Sequence, residues 1–193
     1  MRIIAGDFKG RKLETPIGYD IRPTTEKVKE AIFSILMNNI YDANVCDLFS
    51  GTGNLGLEAL SRGAKKCYFC DNSKDSLNLT KKNISACKAE DMSIVLPGDF
   101  EKCLSRVFAS GDKIDIFILD PPYREGLYER CFELIREYDL LAEDGVILCE
   151  HERKDEFENE YFGYELIKER FYGSIAVSIY GWLCNFFMIK YIR

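Results

Sequence analysis

Short apolar runs alternating with amphipathic segments through the middle of this chain leave few folds open to it. The runs fall at residues 45–49, 67–71, 93–96, 114–119 and 146–150. Between them lie segments suited to helices at about residues 54–62, 73–88 and 127–138, and a further one carrying Phe100, Cys103, Leu104, Val107 and Phe108 on a single face. Strands this short and this apolar are expected where both faces of a sheet are covered, and the intervening helices supply the covers. The pattern predicts an α/β fold: a Rossmann-like, mostly parallel sheet with helices on both faces and right-handed crossovers.

The two ends differ from the middle. From Arg2 to Leu13 short apolar pieces break at Gly6 and Gly10, as in a hairpin or extended arm, and Pro16, Gly18 and Pro23 punctuate the stretch beyond it. Thr24 or Thr25 can then cap a helix whose apolar positions Val28, Ala31, Ile32, Ile35 and Leu36 recur at helical spacing. Residues 164–171 and 174–192 read as two long strands around Tyr172-Gly173, an antiparallel hairpin at the end of the sheet. The aromatic stretch from Gly181 to Arg193 suits a buried final strand or an exposed interaction patch. At 193 residues the chain is expected to form a hairpin or arm over residues 1–24 and a single compact domain over residues 25–193.

Composition excludes several classes. With 47% hydrophobic and 30% charged residues, no window approaches the roughly 18 apolar residues needed to span a bilayer. The start Met1-Arg2-Ile3-Ile4 has no secretory pattern, so a cytoplasmic location is expected. Of the eight cysteines, Cys46, Cys103, Cys131, Cys149 and Cys184 are scattered through apolar runs and read as reduced core residues. Cys67 and Cys70 lie on one strand with their side chains on opposite faces, and no second pair completes a zinc site, so no metal is expected. The lone histidine, His151, reads as an end-of-strand residue. Net charge is −6, yet residues 1–30 hold seven basic residues against five acids, leaving +2 there and −8 in the remainder. A basic arm on an acidic body can meet a polyanion locally.

The chemistry-bearing residues cluster at the ends of the predicted strands. Asp47-Leu48-Phe49-Ser50-Gly51-Thr52-Gly53-Asn54-Leu55-Gly56 places a G-x-G-x-x-G spacing directly after a strand and at the start of a helix, the context of a nucleotide-type loop. Gly51, Gly53 and Asn54 let backbone approach a ligand, and Asp71, twenty residues after Gly51, can accept both hydroxyls of a ribose. These features suit a dinucleotide as well as S-adenosylmethionine. Asp47, with Phe49 beside it, favours the latter, because a carboxylate near the loop attracts a cationic sulfonium and repels a pyrophosphate. Asp99 can accept adenine amino hydrogens and Phe100 can pack on the ring, although Asp71 and Asp99 are also good helix N-caps.

Asp120-Pro121-Pro122-Tyr123 closes the fourth apolar run. Two prolines fix φ near −65° and donate no backbone hydrogen bonds, so the chain leaves the sheet stiffly with its carbonyls bare. Such a turn suits a flat amine: Asp120 and the Pro121 carbonyl accept its two hydrogens, which aims the nitrogen lone pair at a methyl donor, and Tyr123 stacks on the base.

Taken together, these segments resemble the class I methyltransferases, and within them the RsmD-type family of small-subunit rRNA guanine-N2 methyltransferases. The most specific likenesses are Arg2-Ile3-Ile4-Ala5-Gly6, Gly10-Arg11-Lys12-Leu13, Pro16, Arg22-Pro23-Thr24, the loop from Asp47 to Gly53 and the segment from Leu55 to Ala64. The resemblance implies a seven-stranded sheet with an antiparallel last strand, S-adenosylmethionine as methyl donor and a guanine of 16S rRNA as acceptor. It makes Asp120, Pro121, Pro122 and Tyr123 the amine-binding turn, and Arg2, Arg11, Lys12, Arg22 and Thr24 candidate RNA contacts. A base modified in this way is splayed from its loop, and the acidic body implies an assembling ribosomal particle as substrate. Similar proline turns serve DNA adenine and protein glutamine methyltransferases, and a non-catalytic adenosyl-binding assembly factor is a further alternative.

Overall fold

The computed structural model describes residues 1–16, 26–122 and 126–183. After α1 (Glu26–Ile35) the predicted alternation is present: β1 (Asn44–Asp47), α2 (Asn54–Ser61), β2 (Lys66–Asp71), α3 (Lys74–Cys87), β3 (Ser93–Pro97), α4 (Phe100–Ser110), β4 (Ile114–Leu119), α5 (Leu127–Glu137) and β5 (Leu141–Glu152). Three further strands, β6 (Glu160–Tyr161), β7 (Tyr164–Tyr172) and β8 (Ile175–Trp182), complete one sheet of order β3-β2-β1-β4-β5-β8-β7-β6. Strands β1 to β5 pair in parallel, whereas β8 inserts antiparallel between β5 and β7. This is the class I methyltransferase architecture, with one correction to the expected strand count. The sheet has eight strands among the described residues, because the two-residue β6 adds an edge by pairing with Tyr164 and Glu165. Residues 184–193, the expected continuation of the last strand, and Thr24 and Thr25, the expected helix caps, lie outside the described residues.

Side-chain alternation along the strands divides the core into two layers. Val45, Phe69, Ile116, Ile118, Leu148 and Val177 face α1, α2 and the N-terminal segment, while Cys46, Tyr68, Phe117, Leu119, Ile147 and Tyr180 face α4 and α5. The seven described cysteines are buried and free, with Cys67 in the first layer and Cys70 in the second. Phe108 departs from its expected place on the buried face of α4. It is 56% exposed and stacks on Tyr138 with ring centroids 5.3 Å apart, because the sheet-facing stripe of Cys103, Leu104 and Val107 ends one residue earlier. No helix among the described residues is long and apolar enough to cross a membrane.

The N-terminal segment is a hairpin bolted to the core. Arg2 and Lys12 form an antiparallel bridge, the Ile3 N–H donates to the Arg11 carbonyl at 3.0 Å, and Ile3 and Leu13 are buried in the first core layer. Glu58 of α2, with 0% exposure, holds the hairpin from below: its Oε2 accepts the Ile4 N–H at 2.8 Å and its Oε1 the Ala5 N–H at 3.1 Å. Ser61 accepts the Phe8 N–H at 2.9 Å and donates to the Ala5 carbonyl at 2.5 Å. Gly6 is obligatory there, since a Cβ on its backbone, at φ +79°, would lie 1.6 Å from the Ser61 carbonyl oxygen.

Lys29 belongs to the same network, although helical periodicity places no apolar residue at its position. It is 1% exposed and directs its three donors to Glu58 at 3.0 Å, the Arg2 carbonyl at 2.7 Å and Asn54 Oδ1 at 2.7 Å. Burial lowers the pKa of its ammonium, and the neighbouring Glu58 charge opposes that shift. Removing one partner of such a buried pair strands the other charge. Glu58→Gln is therefore expected to lower the urea-derived unfolding free energy by about 3 kcal/mol, and a loss below about 0.5 kcal/mol, the ordinary range for a surface change, would contradict this account.

Candidate active site

The strand order reverses between β1 and β4, so a crevice opens beyond the carboxyl ends of those strands. The loop leaving β1 borders it. Gly51 and Gly53 adopt φ +54° and +77°, and the turn is closed by the Gly53 N–H donating to the Ser50 carbonyl at 2.6 Å. Thr80 of α3 anchors it from outside through a 2.9 Å bond to the Gly51 carbonyl. The third glycine of the motif serves packing: a Cβ on Gly56 would lie 2.4 Å from the Phe69 ring, so only glycine lets α2 rest this close to β2.

A cavity of about 750 Å³ occupies the crevice, within the range of small-molecule sites. Phe49, Gly51, Asp71, Asp99 and Phe100 line it, and so do Asp120, Pro121 and Pro122. Eight of the residues singled out in the sequence thus meet at one site. The Phe49 and Phe100 rings lie 6.0 Å apart at 40°, forming an apolar wall. Asp47, Gly53 and Asn54 stand behind the cavity instead of lining it. Asp47 is 2% exposed and accepts the Gly56 N–H at 2.9 Å, while the Asn54 side-chain oxygen is taken by Lys29. Tyr123, Arg22 and Thr24 lie outside the described residues. On the hairpin, Arg11 and Lys12 are exposed, and Arg2 forms a two-pronged pair with Glu26 at 2.9 Å.

The carboxylates in and behind the crevice differ in character. Asp71 uses both oxygens locally, accepting the Gly51 N–H at 2.9 Å and the Ser73 N–H at 2.7 Å, and burial raises its pKa against those bonds. Asp99 caps α4 by accepting the Lys102 N–H at 2.9 Å; that bond and the Lys102 ammonium hold its pKa low. Burial pushes Asp47 up to about 7, and the charge of Asp71 adds to the shift. Asp120 is raised well above the ordinary carboxylate range, by burial first and then by the charges of Glu150 and Asp47.

Glu150 has no distinguishing mark in the sequence, where it is only the last residue of an apolar run. It is 7% exposed and lines the same cavity. The rule that sites in such sheets collect at carboxyl strand ends is the one signal that points to it. His151, one residue on, faces the other core layer, where it stacks on Phe157 at 3.9 Å and hydrogen-bonds Ser178 at 2.9 Å.

Two observations fit an adenosyl sulfonium in this cavity. The space where a Gly51 Cβ would project is open, so backbone can approach a ligand there, and the buried Ser50 hydroxyl of the same loop has no partner. Asp71 would hold the ribose, Asp99 and Phe100 the adenine, and Asp47 would supply charge from behind. Because a bound cation favours ionised Asp47, S-adenosylmethionine should bind about tenfold more tightly at pH 8 than at pH 6. Calorimetric titration with S-adenosylhomocysteine, which lacks the sulfonium charge, should show a much flatter pH dependence, and Asp47→Asn should flatten that of S-adenosylmethionine; equal slopes in all three would contradict the assignment.

The family model described as conserved hypothetical protein 95 matches residues 1–181. The chain is 36% identical over 180 residues to the putative rRNA methyltransferase YlbH of Bacillus subtilis, covering 93% of this chain and 98% of that one. It is 33% identical over 180 residues to ribosomal RNA small subunit methyltransferase D of Escherichia coli strain K12, covering 93% and 89%. Among solved structures, a putative methyltransferase, yhhF, from Escherichia coli superposes with a TM-score of 0.82 at 31% identity, covering 93% and 96%. With its glycine loop, acidic strand ends and proline turn at one cavity, the chain belongs to this RsmD/YlbH family of S-adenosylmethionine-dependent methyltransferases.

Proposed function

We propose that this protein methylates the exocyclic N2 of a guanine in 16S rRNA, within an assembling small ribosomal subunit in the cytoplasm. The observation that carries the reading is the position of Asp120, Pro121 and Pro122 on the wall of the same cavity as Gly51, Asp71 and Asp99. An amine held by the turn therefore lies next to the place suited to the methyl donor. The names of the relatives, which specify ribosomal RNA and in one case the small subunit, point to the acceptor.

S-adenosylmethionine, when bound, supplies an electrophilic methyl group on a positively charged sulfur. The protein's part is alignment. Asp120 and the Pro121 carbonyl accept the two amine hydrogens, which draws the nitrogen out of conjugation with the ring and turns its lone pair toward the methyl carbon. Pro121 and Pro122 keep this geometry stiff. The methylated nitrogen then sheds a proton, which Asp120 is placed to take; its raised pKa makes its ionised form a better base than an ordinary carboxylate. Tyr123 stacks on the extruded base.

The N-terminal hairpin presents the RNA-binding residues. Arg11 and Lys12 are exposed on a hairpin whose exit is tied to the cofactor loop, since Asn83 bonds the Glu14 backbone at 2.7 Å and the Thr52 carbonyl at 2.9 Å. Arg2 and Glu26 form a solvent-exposed pair, which gives way to phosphate at little cost. Arg22 and Thr24, outside the described residues, are further candidate RNA contacts. The rest of the chain is acidic, so ribosomal proteins already on the particle share in its recognition.

Asp120→Ala is expected to reduce turnover about a hundredfold or more while S-adenosylmethionine affinity changes little, because one preorganised acceptor is lost from the transition state. Since Asp120 must be ionised and its pKa is raised, kcat/KM should climb with pH through an apparent pKa well above 4. Labelled S-adenosylmethionine incubated with extract from a deletion strain, followed by mapping of the modified nucleotide, tests the acceptor. Label in DNA or protein alone would overturn the rRNA reading.

A further inference from the structure

We infer that Glu150 is the residue that selects guanine, accepting the N1–H of the target base while Asp120 holds its N2 amine. The inference rests on the guanine-N2 reading of the site. Strands β4 and β5 run in parallel with Leu119 opposite Cys149, so Asp120 and Glu150, the next residues, are cross-strand neighbours. Ile116 and Ile118 of β4 and Val146 and Leu148 of β5 all face the first core layer, and alternation puts Asp120 and Glu150 on that same face. Neighbouring strands are about 4.8 Å apart, so the two carboxylates stand side by side. Both residues line the cavity, and the charge of Glu150 is felt at Asp120.

The strand order gives each carboxylate its task. Across the sheet, Asp99 follows β3, Asp71 ends β2, the glycine loop follows β1, Asp120 follows β4, and Glu150 lies on β5. The residues suited to the methyl donor therefore lie on one side of Asp120, and Glu150 on the other. With the amine at Asp120 facing the donor, the rest of the base extends toward β5. Guanine presents two adjacent donors along that edge, N2–H and N1–H, which match two adjacent acceptors. Adenine presents an amine beside a bare N1 lone pair, which a carboxylate repels. A buried acceptor left facing a lone pair is an efficient means of rejection.

The test uses the purified full-length protein and small-subunit particles whose rRNA carries either guanine or 2-aminopurine at the mapped position. 2-Aminopurine keeps the N2 amine but lacks the N1–H and the O6. The wild-type protein should prefer guanine by about tenfold to a hundredfold in kcat/KM, the range set by a hydrogen bond to a charged group. Glu150→Gln, whose amide can donate to a bare N1, should cut that preference by about tenfold or more while S-adenosylmethionine affinity stays within about twofold. Glu150→Asp, which withdraws the carboxylate, should also lose preference. An unchanged ratio in both variants overturns the inference, as does loss of S-adenosylmethionine binding in both, which would make Glu150 a residue of the fold. Absence of N2-methylguanine with the wild-type protein is a separate result. It removes the reading on which the inference rests.

Discussion

A buried carboxylate, Glu58, joins the parts of this protein that must act together. With no exposure to water, it meets the Ile4 and Ala5 amides of the hairpin, the Lys29 ammonium of α1 and, at 2.9 Å, the Arg62 guanidinium at the end of its own helix. A charge in that position is tolerable only while every partner is present. The remaining donors of Lys29 end on the Arg2 carbonyl and on Asn54, the first residue of α2, so the network ties the hairpin to the helix that opens from the glycine loop. The basic hairpin is consequently held in one orientation to the cavity. Displacing it would leave a buried carboxylate and a buried ammonium without their backbone partners.

Charge pairing governs the crevice as well. Four carboxylates, on Asp71, Asp99, Asp120 and Glu150, line a site whose proposed acceptor is part of a polyanion. Under the proposed function this is consistent, because each carboxylate would face a donor: the hydroxyls and amine of the cofactor, and the N–H groups of the base. Phosphates would be left to the hairpin, where Arg11 and Lys12 are exposed. Such a separation of the two charge signs would let an acidic protein hold an RNA backbone at its periphery and read a base edge at its centre.

Legibility in the sequence followed the range of the interaction. Strand and helix alternation, the glycine loop and the proline turn are local patterns, and the elements lie within a few residues of their expected positions. Ser73, the first residue of the expected third helix, caps α3 by accepting the Ser76 N–H. Roles set by long-range pairing were hidden. Asp47 reads as a residue at the ligand, yet it is turned inward to the Gly56 amide. Asn54 belongs to the loop motif, yet its side-chain oxygen answers Lys29. Lys29 itself sits at a position where helical periodicity gives no reason for burial, because its partners come from residues 2, 54 and 58.

By itself the sequence determined the kind of fold, the glycine loop after β1 and the stiff proline turn after β4. These depend on φ restrictions, on the spacing of apolar side chains and on the missing Cβ of glycine, all of which act within a few residues. Tertiary structure alone decided which carboxylates share a cavity, how Glu150 comes to stand beside Asp120, and how the hairpin is fixed against α2. Those outcomes rest on strand register and on buried charges whose partners are distant in the chain, and such partners are chosen only when the whole sheet and its covering helices pack.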